Sequence, residues 1–297
     1  MKKTFKHLRT AALSVVVAAI CSCWFVYHLS QPAFMPKAKS GTCCSVAEGK
    51  GMGQFSDDVE FQKAHLEPAK SHFKPQIGKK IQYKTPDGRK VSAFFCKAQK
   101  KSNRYIFVFH EWWGLNDHIC KEAEKISQDL PDCNVLALDL YDEQVTDQRE
   151  KAAEMMEGLI PERAFQVIDG AVAFAGKKAV IGTVGWCLGG GWSLQTALRH
   201  TTKVKASVIY YGMPEEDVNK LKALNAEVLG IFGSQDQWIN PEMVKRFDNN
   251  MSLAGKKLTI KNYDAPHAFA NPSNPKYNQL FAEDAYKAVL DLFKTKL

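Results

Sequence analysis

The stretch Val184-Gly185-Trp186-Cys187-Leu188-Gly189-Gly190 decides the fold that this sequence predicts. It follows an apolar run over 179–184 and precedes helix-forming residues, a pattern typical of a strand that turns sharply into a helix. Such a turn needs small residues two positions on either side of its centre, because larger side chains would collide with the neighbouring backbone. Gly185 and Gly189 meet this requirement, so we expect a tight turn with Cys187 at its centre.

Cys187 is therefore a candidate catalytic nucleophile. The central residue of such a turn is presented at the end of a sheet, where it can attack a substrate. The start of the following helix, predicted over 188–199, favours a thiolate through its positive dipole end and its free backbone N–H groups. The motif alone leaves a second interpretation open, in which Cys187 is a buried structural cysteine beside a glycine-rich helix start.

Two later segments supply a candidate acid and a candidate base. An apolar run over 228–232 predicts a strand that is followed by Asp236, and an alternating run over 257–263 predicts another that is followed by His267. Taken singly, Asp236 could cap the helix that begins near Pro241, and His267 could be an ordinary loop histidine. Hydrolases of this sheet architecture place nucleophile, acid and histidine in this order after successive strands, so the combination favours a catalytic triad.

The chain resembles the dienelactone hydrolase family at the cysteine turn and at His110-Glu111-Trp112-Trp113-Gly114-Leu115-Asn116, which is similar to the family's His-Glu-x-x-Gly-x-Asn segment. The resemblance extends from about Ile81 to the C-terminus. It implies an α/β-hydrolase fold and cleavage of a small-molecule carboxylic ester or lactone through an acyl-cysteine intermediate. The residues alone leave an alternative open, a protein that binds a ligand or partner on this fold without catalysis.

The resemblance also implies roles for residues around the nucleophile. Glu111 is expected to contact Cys187 in the resting enzyme and to be displaced when substrate binds. A nearby carboxylate disfavours the thiolate, and it would protect the sulfur until a substrate arrives. The backbone N–H groups of Leu188 and Trp112 are expected to form the oxyanion hole.

The family holds a substrate carboxylate with two arginines, and this sequence matches one of them. Arg149, at the head of a predicted helix, is similar to the first, so the resemblance implies an anion clamp; the alternative is a solvated helix charge beside Glu150. The second would stand four residues after His267, where this chain has Asn271. The resemblance therefore implies ester or lactone hydrolysis in general rather than the dienelactone in particular.

The remaining pattern predicts a mostly parallel central sheet with helices on both faces. Alternating segments around Pro86-Asp87-Gly88, within 79–97, predict an antiparallel hairpin at one end of this sheet. Short apolar runs then alternate with helical patterns. The predicted strands are 105–109, 135–140, 179–184, 207–211, 228–232 and 258–263, and the predicted helices are 117–130, 148–157, 162–174, 188–199, 215–224, 242–253 and 279–294.

The amino terminus predicts a secretory signal peptide or signal anchor over 1–30. Lys2, Lys3, Lys6 and Arg9 precede an apolar run over 11–27. Residues 31–77, rich in Lys, Gly, Pro and Ser, predict a linker to a catalytic domain over 78–297. We therefore expect an exported or membrane-tethered enzyme whose catalytic domain lies outside the cytoplasm, in the periplasm if the source is a Gram-negative bacterium.

The distribution of charge and the spacing of histidines limit the partners and cofactors that the sequence predicts. Six cations at the amino terminus carry most of the formal net charge of +8 and leave +2 for the rest, so no nucleic-acid surface is predicted; they are Lys2, Lys3, Lys6, Arg9, Lys37 and Lys39. The spacing of His110 and His118 does not match a metal-binding His-Glu-x-x-His helix, so neither a metal nor another cofactor is predicted. In an oxidising compartment Cys120 and Cys133 could pair.

Overall fold

An eight-stranded sheet runs through residues 51–297, the part of the chain that the computed structural model describes. Its order is β1-β2-β4-β3-β5-β6-β7-β8, with β2 antiparallel to β1 and β4 and every other neighbouring pair parallel. The strands are β1 (Lys79–Lys84), β2 (Lys90–Cys96), β3 (Arg104–Phe109), β4 (Asn134–Leu138), β5 (Val180–Trp186), β6 (Val204–Tyr210), β7 (Glu227–Gly233) and β8 (Leu258–Tyr263).

Helices connect the parallel strands. Strands β4 to β7 are buried along almost their whole length, which requires cover on both faces of the sheet. Asn116, Asn240 and Asn278 begin three of the helices by accepting backbone N–H groups of the first turn. The helices are α1 (Val59–Ala64), α2 (Asp117–Asp129), α3 (Arg149–Glu157), α4 (Pro161–Ala175), α5 (Leu188–Arg199), α6 (Val218–Lys222), α7 (Pro241–Leu253) and α8 (Gln279–Lys296), preceded by a 3-10 helix over Gly51–Phe55.

The structure confirms the predicted α/β-hydrolase architecture, with the terminal hairpin and the alternation of strands and helices that follows it. The largest difference in a helix concerns the one predicted over 215–224, which is only Val218–Lys222. The Glu215 carboxylate accepts the N–H groups of Glu216 and Asp217, and this local turn delays the start of the helix until Asp217 can cap it.

The prediction of a linker over 31–77 is wrong for the part of that range that the structure describes, which begins at Gly51. Asp58 caps α1 through the N–H groups of Glu60 and Phe61, and the side chains of Met52 and Phe61 are buried in the core. The prediction of a linker followed from the frequent Lys, Gly, Pro and Ser residues of 31–77, but a few apolar side chains suffice to dock the described part. Segment 51–77 is therefore part of the catalytic unit rather than a tether.

The prediction of a leader over 1–30 falls outside the described residues. Within residues 51–297, no helix is both long enough and apolar enough to cross a membrane.

Candidate active site

Cys187 lies at the turn between β5 and α5, as the sequence predicts. Its backbone has φ 53° and ψ −116°, a conformation that an L-residue adopts only when the surroundings impose it. A Cβ atom at Gly185 would overlap the backbone carbonyl of Gly189, and one at Gly189 would overlap the carbonyl oxygen of Phe109. The steric requirement for glycine on both sides of the turn is therefore met by backbone contacts.

The predicted acid and base meet at the same edge of the sheet. The side chain of His267 is hydrogen-bonded through Nδ1 to Oδ2 of Asp236 at 2.6 Å. Asp236 also accepts the backbone N–H groups of Trp238 and Ile239 at 2.9 and 3.0 Å. Burial by itself would raise the pKa of Asp236, but His267 and these N–H groups hold the pKa below its ordinary value. The acid is thus an ionised orienting group.

The third member of the predicted triad lies close to this pair. A ring nitrogen of His267 is within 4.8 Å of the sulfur of Cys187. The Nε2 atom of His267 is buried and has no hydrogen-bond partner. Because Nδ1 is engaged by Asp236, Nε2 is the nitrogen available to take a proton. The structure thus brings together three residues that are far apart in the sequence.

The protonation of Cys187 differs from the expected thiolate. Its side chain is fully buried, and burial, followed by the charge of Glu111, raises the pKa of the thiol well above its ordinary value. A hydrogen bond from the N–H of Leu188 lowers the pKa, as the helix start predicts, but this effect is smaller than burial. In this arrangement the resting nucleophile is a neutral thiol.

Glu111 lies buried near the nucleophile. Burial raises the pKa of its carboxyl from 4.5 to about 8, against the opposing effect of a hydrogen bond from the Asn271 side chain. The second carboxyl oxygen, Oε1, is buried without a partner. The position where the resemblance leads one to expect an arginine therefore carries an amide that holds Glu111, which the sequence did not reveal.

The two predicted oxyanion donors lie on segments that pack together. Leu188 is the first residue of α5, and Trp112 belongs to the loop after β3. The start of α5 approaches the backbone of Phe109 and His110, at the beginning of that loop, so closely that Gly189 has no room for a side chain. The two N–H groups are thus carried by neighbouring backbone segments beside Cys187.

Arg149 stands at the start of α3, as predicted, but it already has an anionic partner. Its Nη2 atom is 3.6 Å from Oε1 of Glu67, which belongs to segment 51–77. Its Nε atom is buried without a hydrogen-bond partner. The guanidinium therefore binds a carboxylate in this structure, and that carboxylate comes from the chain itself.

His65 is the site residue that sequence reasoning missed. Its Nε2 atom is 3.9 Å from the sulfur of Cys187, and its ring lies 4.7 Å from Trp112 and 5.0 Å from His267 between ring centroids. Burial, then repulsion from the neighbouring His267, lowers the pKa of His65 to about 3, so the His65 imidazole is neutral and its Nδ1–H donates to the carbonyl of Phe61 at 2.7 Å.

The sequence signal for His65 is weak. The only pattern is Phe61 and His65 four residues apart after a capping Asp58, which indicates one face of a short helix but not what that face contacts. The side chains of Phe61 and His65, with that of Trp238, pack over His267. This cover contributes to the complete burial of Cys187.

The other histidines considered as metal ligands bond to the backbone, and the other cysteines considered for pairing are unpaired. His110 donates from Nδ1 to the carbonyl of Glu111 and accepts the N–H of Leu140 at Nε2, while His118 contacts the carbonyl of Ala69. Cys120 and Cys133 are free thiols in the structure, so the pairing considered for an oxidising compartment is not formed.

A nucleophile turn after β5, an acid after β7 and a histidine after β8 define an α/β-hydrolase. The model of the dienelactone hydrolase family matches residues 91–297, and the chain belongs to this family. The membership makes it a hydrolase of the ester and lactone type.

Comparisons with individual proteins agree with this family assignment. A provisionally named carboxymethylenebutenolidase from Methylorubrum extorquens is 31% identical over 212 residues, which cover 64% of this chain and 71% of the relative. A protein of the same provisional name from Aquifex aeolicus is 24% identical over 233 residues, covering 74% of this chain and all of the relative. The structure of a provisionally named dienelactone hydrolase from Klebsiella pneumoniae has a TM-score of 0.64 at 21% identity, covering 74% of this chain and 99% of that one, and it shows the shared fold.

Proposed function

We propose that this hydrolase cleaves a carboxylic ester or lactone through an acyl-enzyme on Cys187. The observation that carries the proposal is the convergence of Cys187, His267 and Asp236 at one edge of the sheet. A thiol, a base with a free nitrogen and an ionised acid that orients the base are the parts needed for nucleophilic acyl transfer.

The first half of the reaction acylates the thiol. As the sulfur of Cys187 attacks the carbonyl carbon, Nε2 of His267 takes the thiol proton, and Asp236 stabilises the resulting imidazolium. Backbone N–H groups of Leu188 and Trp112 would stabilise the oxyanion. Collapse of the tetrahedral intermediate breaks the carbon–oxygen bond, and His267 returns the proton to the leaving alkoxide. With a lactone the alcohol stays attached to the acyl group.

The second half regenerates the thiol. His267 takes a proton from water as the water attacks the thioester carbonyl, and the thiolate leaves with that proton. Glu111 would act before these steps, because its ionised form repels a thiolate and so raises the pKa of the thiol until a substrate displaces the side chain. Substrate entry also requires segment 51–77 to move, since Cys187 is completely buried beneath it.

Trapping the intermediate tests the proposal directly. A rapidly quenched reaction with an activated aryl ester should yield the protein plus one acyl group, mapped by mass spectrometry to Cys187. The Cys187→Ala variant should lose both the adduct and turnover, whereas Cys120→Ala, which removes another free thiol, should keep both. Turnover that survives in Cys187→Ala, with circular dichroism unchanged, would exclude the mechanism.

The substrate class follows from the charges near the site. Arg149 is the only matched clamp residue, and Asn271 replaces the second cation, so we propose that the enzyme accepts neutral as well as acidic esters. A paired panel of neutral and carboxylate-bearing aryl esters tests this. A preference for the acidic members above about 100-fold would indicate a full anion clamp and contradict the proposal.

We also propose that the enzyme is exported or tethered to a membrane through the segment 1–30. The support is the cluster of cations before the apolar run over 11–27. Expression of the full chain in bacteria, followed by fractionation and protease treatment of spheroplasts, measures the location. Full protection of the catalytic domain from external protease, with a cytoplasmic marker protected equally, would contradict export.

A further inference from the structure

We propose that His65, Cys187 and His267 form a binding site for one thiophilic divalent cation, with Zn²⁺ as the reference ion. One ligand atom from each residue lies within 4.8 Å of the other two, and the sulfur is 3.9 Å from Nε2 of His65. Zinc bonds of about 2.3 Å to sulfur and about 2.0 Å to nitrogen put neighbouring tetrahedral ligands roughly 3.5 Å apart. A shift of a few tenths of an ångström therefore brings His65 and Cys187 to this spacing, and the pairs that include His267 have to close by up to about 1.3 Å.

Both histidines have the outer hydrogen bonds that orient a metal ligand. His65 donates from Nδ1 to the carbonyl of Phe61 at 2.7 Å, and Nδ1 of His267 is bonded to the carboxylate of Asp236 at 2.6 Å. In each ring this leaves the lone pair on Nε2, and a carbonyl or carboxylate partner of this kind is typical of zinc-binding histidines. The arrangement fixes the tautomer of each ring before any ion arrives.

A second observation also indicates a ligand. Nε2 of His267 is buried without a hydrogen-bond partner, although burial of an unpaired polar atom is costly. A ring nitrogen of His267 lies within 4.8 Å of the thiol sulfur and of a ring nitrogen of His65. A cation at the centre of these atoms would satisfy the unpaired nitrogen and both of the other ligand atoms at once.

The charges of the site balance when the ion binds. The cation displaces the thiol proton of Cys187 to solvent, so a thiolate and two neutral imidazoles surround a charge of +2. The ionised Asp236 behind His267 compensates the remaining positive charge. Three protein ligands leave a fourth tetrahedral position for water or a small anion, as in zinc sites that exchange ligands.

The site links cation binding to closure of the active site. Two of its ligands follow strands of the sheet, and the third belongs to segment 51–77, so the ion would hold that segment against the nucleophile. Substrate and cation would compete, because both need the sulfur of Cys187. The inference does not rest on the proposed hydrolysis, since ligation requires only that these three side chains meet.

Cobalt spectroscopy on the reduced, metal-free full chain tests the site without reading turnover. One equivalent of Co²⁺ should give a sulfur-to-cobalt charge-transfer band, one equivalent of Zn²⁺ should remove it, and each binding event should release one proton. In His65→Ala the affinity should fall by at least about 100-fold, the upper end of the loss caused by removing an outer partner. His118→Ala is the matched control, because its imidazole also touches segment 51–77, at Ala69, but lies outside the cluster.

The proposal would be overturned by the absence of the charge-transfer band in the wild-type chain, or by unchanged affinity in His65→Ala. If His65→Ala fails to fold, His65→Cys should retain binding by supplying another soft ligand, and saturating Zn²⁺ should protect Cys187 of the wild type from alkylation. Unprotected Cys187 at saturation also excludes the site. A chain that binds Co²⁺ as expected but hydrolyses no ester in its metal-free form would contradict the proposed function alone.

Discussion

The turn around Cys187 and segment 51–77 meet at the same sulfur atom but are held in place differently. Close backbone contacts at Gly185 and Gly189 fix the turn, and β5 is paired with parallel strands on both sides. Segment 51–77 relies on a helix of six residues and on side-chain contacts with the domain. A helix this short has no independent stability in water, so its position depends on packing.

Contacts at several separate positions hold the segment against the domain. Trp238 donates to Asp58 at 3.0 Å, Phe61 contacts Trp112 and Trp238 edge to face, and Glu67 pairs with Arg149. Segments with this kind of anchoring open locally at a lower free energy than the global unfolding of the sheet. The comparison indicates a rigid catalytic frame covered by a removable segment.

The largest expected effect comes from breaking the rigid region. Gly185→Val places a branched side chain onto the backbone of Gly189 and should lower the free energy of unfolding by about 3 kcal/mol or more. Gly191→Ala, in helix α5 just after the turn, is the control: its Cβ would be 3.5 Å from the nearest atom, so the substitution should be neutral or stabilising by up to about 1 kcal/mol. Urea denaturation measures both. Equal stabilities of the two variants would refute the steric account of the turn.

A second substitution tests the removable region. Phe61→Ala deletes the buried side chain that anchors α1. It should lower the free energy of opening segment 51–77 by about 3 kcal/mol, and alkylation of Cys187 should therefore be about 100-fold faster. Val59→Ala, at an exposed position of the same helix, should leave the rate unchanged. Mass spectrometry of iodoacetamide-treated protein gives the rates. If Phe61→Ala instead lowers global stability without exposing Cys187, the segment is not separable from the sheet.

A third effect concerns pH. The pKa of Glu111 is raised from 4.5 to about 8, so the unfolded chain releases this proton at lower pH than the folded chain does. The folded state of metal-free protein should therefore lose stability as pH rises from about 5 to 8, by up to about 1.4 kcal/mol for each unit of pKa difference. In Glu111→Gln this part of the slope should disappear. Parallel slopes for wild type and variant would show that Glu111 is ionised at neutral pH.

The smallest effect concerns the ion pair between segment 51–77 and helix α3. Glu67→Gln should change stability by less than about 1 kcal/mol, because Glu67 is mostly exposed. It should lower the KM for carboxylate-bearing esters by freeing Arg149, whereas Arg149→Gln should raise that KM about tenfold. Neither should alter the KM for a neutral ester of the same size. A change with the neutral ester would mean that Arg149 supports the fold rather than the substrate.

The two regions also differ in how well the sequence predicted them. The turn was predictable because glycine on both sides of Cys187 is a local steric requirement. Asp236 and His267 were predictable because the first follows an apolar strand and the second an alternating one. His65 was not predictable, since neither its composition nor its spacing encodes a contact with a residue 122 positions away. The hydrogen bond between Asn271 and Glu111 was not predictable for the same reason, because it joins loops that are 160 positions apart.

From residue 79 onward, local patterns in the chain were enough to establish the order of strands and helices, the turn that carries the thiol and the likeness to the hydrolase family. Hydrophobic periodicity and backbone sterics act over a few residues, so they can be read directly from neighbouring positions. Only the folded chain decided that segment 51–77 covers the nucleophile, that the thiol is buried and neutral, and that a second imidazole faces it. Burial and electrostatics depend on which distant groups share a space, and that is a property of packing.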